Sequence, residues 1–251
     1  MSAPTTPAQL PVGYLGFGAM RITGPEVWGP PRDEREAIVL LRRVVDRGVT
    51  FIDTADSYGP AISETLIAKA LHPYPAELVV ATKGGLTRPG PNRWVTDCRP
   101  DHLRRACADS LRRLRLERIE LYQLHAVDHR IPIEDSIGAL VDLQREGKIH
   151  YIGVSNVSER ELARARAVAT IISVQNCYNL RDRSSDRLID IWPLPVSPLS
   201  LGTRWPRVVS LLQTRGSFGS PRATAPRPAK LRLPGYCSVP PPCCQFPGPP
   251  R

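Results

Sequence analysis

The sequence contains no run of 18 apolar residues, so we expect no membrane-spanning helix. Its first seven residues carry neither a basic start nor an apolar stretch, which argues against a secretory signal and favours a cytoplasmic location. Six cysteines in 251 residues are too few for a disulfide scaffold. The sequence contains no C-x-x-C pair, so it gives no sign of a zinc site. With 41% apolar residues the chain can still build a core, which excludes wholesale disorder.

Acidic residues are missing after Asp190, whereas eight of the 34 basic residues, 14 of the 27 prolines and three of the six cysteines follow it. Residues 1–190 are nearly neutral, with 26 basic and 24 acidic residues. We therefore divide the chain into a folded body, residues 8–190, and a basic, proline-rich tail, residues 191–251. We expect the tail to be disordered, and within it only Arg207–Gln213 favours a short helix.

The body alternates short β-branched runs with segments of helical period. The predicted strands are Thr50–Asp53, Leu78–Lys83, Ile119–His125, Tyr151–Ser155 and Ile171–Gln175. The predicted helices cover Ala37–Val45, Leu103–Leu114, Glu134–Glu146 and Ser158–Ala169, the last with Ser158 and Glu161 as a capping box. This alternation predicts an α/β fold with a parallel sheet built from βα units.

Two parallel-sheet architectures compete for this pattern. A dinucleotide-binding open sheet needs G-x-G-x-x-G between its first strand and first helix, but Gly13, Gly16 and Gly18 are followed by a Pro/Gly-rich loop. A barrel of βα units, which places its reactive groups at the carboxyl ends of the strands, fits better. The predicted strands all end in polar residues, which predicts one shared polar site: Asp53, Lys83, His125, Ser155 with Asn156, and Gln175 with Asn176.

Four of these residues could act together on a carbonyl group. Tyr58 follows Asp53 by five residues, and an ammonium such as that of Lys83 lowers the pKa of a neighbouring phenol. Asp53 could pair with Lys83, and His125 could form a hydrogen bond to the reacting oxygen. Each residue alone is more often a packing or surface residue, so only the combination points to the reduction of a carbonyl by a hydride-donating cofactor.

The segments FIDTADSYG, VVATKGG, LYQLH, IGVSN and SVQNCYN, in this order and spacing, resemble the aldo-keto reductase superfamily. More narrowly, LGFGAMRITGP, WGPPRDE, TKGGLTRPGP and YNLRDRSSD resemble its bacterial branch of pyridoxal-reductase-like and YdbC-like oxidoreductases. The resemblance covers residues 8–190 and implies a (β/α)₈ barrel of the TIM type that uses NADPH without a Rossmann domain.

By this resemblance, Asp53, Tyr58, Lys83 and His125 match the catalytic tetrad, with Tyr58 as general acid. The residues that would bind the nicotinamide end of the cofactor are Ser155, Asn156 and Gln175, together with Gly18, Ala19 and Met20 at the end of the first strand. Trp28 could shape the substrate pocket or be a plain surface aromatic.

The pattern departs from this family after residue 190. The body supplies six strands where a closed barrel needs eight, and neither the aromatic residue that stacks on nicotinamide nor the group that binds the adenosine 2′-phosphate can be identified. The simultaneous loss of acids and gain of Pro, Arg and Cys is typical of out-of-frame translation, with a natural disordered extension as the alternative. We expect weak or absent turnover, because an incomplete barrel loses apolar burial.

Three functions follow from these observations. The first is NADPH-dependent reduction of a small aldehyde or ketone. The second is an impaired reductase remnant, or pseudoenzyme, that cannot clamp the cofactor. The third is binding to RNA or to a membrane surface through the tail, whose +8 charge gives nonspecific attraction but whose sequence lacks the alternation of aromatic and Arg residues typical of nucleic-acid stacking platforms. No metal site is predicted, and no motif specifies an oligomeric state.

Overall fold

The computed structural model describes residue 12 and residues 15–179, 182–191, 200–202 and 208–212. Its strands are β1 (Phe17–Gly18), β2 (Phe51–Asp53), β3 (Val79–Gly84), β4 (Leu86–Gly90), β5 (Arg93–Thr96), β6 (Ile119–Leu124), β7 (Ile149–Ser155), β8 (Ile171–Cys177), β9 (Ser200–Gly202) and β10 (Val208–Leu212). Its α-helices are α1 (Glu34–Asp46), α2 (Ile62–Leu71), α3 (Pro100–Leu114), α4 (Ile133–Arg145), α5 (Glu159–Val168) and α6 (Asp186–Ile191). Two short 3₁₀-helices, Ala19–Ile22 and Pro25–Val27, follow β1.

Six strands form a continuous parallel sheet in the order β1-β2-β3-β6-β7-β8. Each connection between sequential strands of this sheet passes through one α-helix, from α1 after β1 to α5 before β8. These repeated βα units confirm the predicted α/β class and the six predicted strands.

The two faces of the curved sheet have different coverings. Side chains alternate along β3, so Val80 and Thr82 face one side and Ala81 and Lys83 face the other. Large apolar clusters join the first side to the helices. The second side has a cluster that contains strand residues and Val12 but no helix residue: Phe51, Val79, Ala81, Leu121 and Ile172. Helices outside and strand side chains inside are the arrangement of a βα barrel.

The far edge of the sheet is extended by the strands β9 and β10. β10 runs antiparallel to β8, and β9 pairs with both β8 and β10. The predicted short helix over Arg207–Gln213 is therefore wrong: its described part, Val208–Leu212, pairs with the β8 backbone, which would otherwise be an open edge. Among the described strands β1 pairs only with β2, so these strands form an open sheet. Ile191 ends α6, and the other tail residues for which we predict disorder lie outside the residues that the structure describes.

Side-chain caps mark the starts of α1 and α5. The Asp33 side chain caps α1 by accepting a hydrogen bond from the Glu36 amide at 3.0 Å. The predicted capping box of Ser158 and Glu161 is present at the start of α5. The elements that were not predicted include α2, α6 and the antiparallel β4–β5 hairpin. Within the described part of the chain, no helix is long and apolar enough to cross a membrane.

Candidate active site

The centre of the site is a buried ion pair between the ends of two neighbouring strands. Lys83 lies in β3 with its side chain fully buried, and its Nζ is 2.7 Å from both carboxylate oxygens of Asp53 at the end of β2. The same Nζ donates to the Thr54 carbonyl at 2.9 Å. Burial alone would lower the pKa of Lys83, but Asp53 and then Tyr58 outweigh burial and raise it. Lys83 is therefore charged at neutral pH.

Tyr58 lies beside this ammonium, in the loop between β2 and α2. Lys83 Nζ is 5.4 Å from the centre of the phenol ring, which packs in a buried cluster with Val27 and Ala55. Burial raises the pKa of Tyr58, and the charge of Lys83 lowers it by less, so the net pKa lies above its ordinary value of 10.0. The expected lowering of the Tyr58 pKa by the Lys83 ammonium is present, but burial raises this pKa by a larger amount. The phenol consequently keeps its proton at neutral pH and can donate it.

His125 completes the group directly after β6. Its backbone amide donates to the Gly84 carbonyl at 2.9 Å, which fixes it beside the end of β3. Its ring meets the Tyr58 ring edge-to-face, with 5.7 Å between the ring centres, and its Nδ1 is 3.3 Å from Ser57 Oγ. Burial and the charge of Lys83 lower the pKa of His125 well below 6.5, so the imidazole is neutral at physiological pH.

The three polar residues at the ends of β7 and β8 form a hydrogen-bonded group. Ser155 Oγ donates to the backbone carbonyl of Gln175 at 2.8 Å, and the backbone amide of Asn156 donates to the same oxygen at 2.9 Å. Asn156 Nδ2 donates to the His125 carbonyl at 2.9 Å. Asn156 adopts a left-handed backbone with φ of 55°, which asparagine tolerates better than most residues. The group is thus joined directly to the site around Lys83.

The end of β1 contributes the last predicted residues. Gly18 pairs in register with Asp53, and the Ala19 carbonyl accepts a hydrogen bond from Ser63 Oγ at 3.0 Å. Met20 packs against the cluster that contains Tyr58. All ten predicted site residues therefore lie at the carboxyl ends of the parallel strands or in the loops that follow them.

Sequence reasoning missed a buried arginine beside Tyr58. Arg88 in β4 donates to the carbonyls of Val27 at 2.9 Å and of Glu26 at 3.1 Å, and its guanidinium lies 3.8 Å from the centre of the Trp94 ring. Trp28 is half-buried and 5.5 Å from the same guanidinium, so it lies beside the site and is not a plain surface aromatic. Because Arg88 meets these loops only after the chain folds, no local signal marks it.

The chemistry available is proton donation from a phenol in a shielded, charged environment. A protonated Tyr58, a neutral His125 and the ammonium of Lys83 suit an oxygen that gains negative charge during reaction. Hydroxyl and amide side chains at the ends of β7 and β8 match the donors and acceptors of a carboxamide, so the residues present fit a nicotinamide cofactor. No cluster of three or more potential metal ligands occurs among the residues that the structure describes.

Comparison with known proteins gives the same picture over the body of the chain. The sequence profile of the Aldo/keto reductase family matches residues 14–192. An uncharacterized oxidoreductase of Schizosaccharomyces pombe is 41% identical over 179 residues, which are 71% of this chain and 58% of that protein. The pyridoxine 4-dehydrogenase of Escherichia coli is 40% identical over 185 residues, which are 71% of this chain and 65% of that protein. The chain thus spans less than two thirds of each relative.

Solved structures share the fold. A glycerol dehydrogenase from Gluconobacter oxydans superposes with a TM-score of 0.64 at 35% identity, covering 70% of this chain and 54% of that one. An aldo-keto reductase from Klebsiella pneumoniae in complex with NADPH superposes with a TM-score of 0.56 at 25% identity, covering 70% of this chain and 57% of that one. The predicted family resemblance, including its approximate boundaries, is confirmed.

Proposed function

Because this chain belongs to the aldo/keto reductase family, we propose that it reduces a small aldehyde or ketone to the alcohol, with NADPH as hydride donor and Tyr58 as general acid. The observation that supports this proposal most is that Lys83, Tyr58 and His125 lie together at one edge of the sheet. The centre of the Tyr58 ring is 5.4 Å from Lys83 Nζ and 5.7 Å from the centre of the His125 ring.

The proposed roles follow from the protonation states. The carbonyl oxygen of the substrate accepts a hydrogen bond from Tyr58, whose proton moves to that oxygen as negative charge develops. The ammonium of Lys83 stabilises the phenolate that remains, and Asp53 keeps the ammonium in place. The neutral imidazole of His125 orients the oxygen by a second hydrogen bond. When bound, NADPH supplies the hydride that reduces the carbonyl carbon.

We assign cofactor positioning to the polar group after β7 and β8. Ser155, Asn156 and Gln175 would hold the carboxamide of the nicotinamide, and the Gly18–Met20 segment would line the opposite side. The Asn156 side chain already binds the His125 carbonyl at 2.9 Å, so one hydrogen-bonded group would connect the cofactor-binding residues with His125. The NADPH complex of the Klebsiella pneumoniae relative supports this choice of cofactor.

The open edge at β1 supports a second candidate, an impaired reductase that assembles the tetrad but binds the cofactor weakly. Titration with NADPH, followed by its fluorescence, separates the two functions. Saturable binding with carbonyl-dependent turnover supports the reductase, and assembly of the fold without saturable binding supports the impaired form.

Turnover is tested by following NADPH consumption with a panel of aldehydes and ketones that includes pyridoxal. Tyr58→Phe is the matched variant, because it removes only the hydroxyl from the buried ring cluster. We expect a loss of about 10²- to 10⁴-fold in this variant, the usual contribution of a positioned general acid. Equal turnover in both proteins would refute the role of Tyr58.

A further inference from the structure

The face of β3 opposite to Lys83 contains a second buried ion pair, which the proposed chemistry does not use. Glu64 in α2 is fully buried. Its Oε1 accepts a hydrogen bond from Thr82 Oγ1 at 2.6 Å, and its Oε2 accepts one from Arg113 Nε at 2.6 Å. One carboxylate therefore joins α2, β3 and α3 behind the catalytic edge of the sheet.

A contribution to fold stability alone does not account for this ion pair. Withdrawing a carboxylate and a guanidinium from water is costly, and apolar side chains of similar volume often stabilise a fold as well or better. The same three elements already share apolar clusters, in which Leu66, Ile67 and Leu114 are buried. A paired carboxylate also fixes the positions of its neighbours, because two short charge-assisted hydrogen bonds restrict those positions more than apolar packing does.

The residues adjacent to this ion pair contact the two central residues of the candidate site. Thr82 directly precedes Lys83 in β3, so its hydrogen bond fixes the strand from which Lys83 projects. Ser63 directly precedes Glu64, and its backbone amide donates to the Tyr58 carbonyl at 3.1 Å. Glu64 thus connects the backbone beside the ammonium with the backbone beside the phenol.

We propose that Glu64 is a positioning residue, which sets the separation of Lys83 and Tyr58 by fixing β3 and α2 at positions next to each of them. The inference rests on the reductase function proposed above, because its effect is exerted at Tyr58 and Lys83. Glu64 lies on the other side of the sheet and is not itself a catalytic residue.

Two substitutions separate position from charge. Glu64→Gln keeps the size of the side chain but weakens the contact with Arg113. Thr82→Val removes one hydroxyl without changing any charge, so its effect on the site can come only through position. Tyr74→Phe is the matched control, because it removes the 2.8 Å hydrogen bond from Tyr74, in the loop between α2 and β3, to the Leu114 carbonyl of α3.

The first readout does not depend on turnover. The full-length protein and its variants are labelled with 3-fluorotyrosine, and the ¹⁹F resonance of position 58, assigned with Tyr58→Phe, is titrated. In the intact site the charge of Lys83 lowers the pKa of the phenol. A displaced ammonium should therefore raise the pKa of fluorotyrosine 58 by about half a unit or more in Glu64→Gln and Thr82→Val. Tyr74→Phe should leave it unchanged.

The second readout is a division between kcat and KM. A misplaced acid lowers kcat, and we expect a loss of about 10- to 100-fold in both variants with the KM for NADPH within about twofold of wild type. Unchanged titration of residue 58 in Thr82→Val and Glu64→Gln, or an equal shift in Tyr74→Phe, would overturn the inference. If the wild-type protein shows no turnover, the reductase function fails, while the titration still decides the role of Glu64.

Discussion

Lys83 Nζ lies 2.7 Å from each carboxylate oxygen of Asp53, although the lysine side chain is fully buried. A buried ammonium keeps its charge only with such a partner, because burial favours the neutral amine. The same ammonium lies 5.4 Å from the centre of the Tyr58 ring. Asp53 therefore acts on the proton donor indirectly, through Lys83.

Replacing Asp53 with Asn should lower both turnover and stability. Without the carboxylate, burial lowers the pKa of Lys83 and the phenolate of Tyr58 loses its support, so we expect kcat to fall by about 100-fold or more. Leaving a buried charge without its partner should lower the free energy of unfolding by about 3 kcal/mol. Kinetics and urea denaturation measure the two effects.

Asp97→Asn is the control for this experiment, since the partner of Asp97, Arg99, is solvent-exposed. We expect its kcat to match wild type. An Asp53→Asn protein with wild-type kcat would show that Lys83 does not need its ion pair.

His125 and Tyr58 should contribute no inflection to the pH dependence of kcat/KM in the neutral range. The pKa of His125 lies well below 6.5 and that of Tyr58 lies above 10.0, so neither group titrates between them. A pH–rate profile checks this. An inflection near pH 6.5 that disappears in His125→Gln would show that the imidazole is charged in the working site.

Ionisation of Asp56 should lower the free energy of unfolding as the pH rises. Burial and the charge of Glu64 raise its pKa from 3.8 to about 8. The stabilising contribution of such a group is complete below pH 3.8 and is lost as the pH rises towards 8. Asp56→Asn should therefore have a higher free energy of unfolding than wild type at pH 8, by on the order of 1–2 kcal/mol, since the residue as a whole is half-buried.

Urea denaturation at pH 4 and pH 8 tests this prediction. The difference in the free energy of unfolding between Asp56→Asn and wild type should grow with pH, and it should be close to zero at pH 4. A difference of the same size at both pH values would mean that Asp56 is ionised in the folded chain.

Ser158→Ala should affect stability without affecting the site. Ser158 and Glu161 cap α5 reciprocally, with the Ser158 amide donating to Glu161 Oε2 at 2.7 Å. Loss of the cap should lower the free energy of unfolding by about 1 kcal/mol. Thermal unfolding and kcat measured together check it, and a large loss of kcat would show that α5 controls the nearby Ser155 and Asn156.

Much of the site could be predicted because it depends on local patterns. Asp53, Lys83 and His125 each end a predicted strand, and the carboxyl ends of neighbouring parallel strands share one edge of the sheet. The order of the strands along the chain therefore implies that these side chains meet.

The remaining features depend on contacts between distant parts of the chain. Arg88 binds the carbonyl of Val27, 61 residues away, and Arg113 binds Glu64, 49 residues away. Neither contact follows from periodicity or spacing. The net shift of the Tyr58 pKa also depends on burial, which the neighbouring sequence does not reveal.

The most direct test of the central claim is to measure deuterium transfer from 4-deuterated NADPH to a carbonyl substrate by mass spectrometry of the product. We predict an alcohol with one deuterium on the former carbonyl carbon from the wild-type protein, and almost none from Tyr58→Phe. Absence of labelled alcohol from the wild-type protein, or equal amounts from both proteins, would contradict the claim that Tyr58 protonates a carbonyl reduced by hydride transfer.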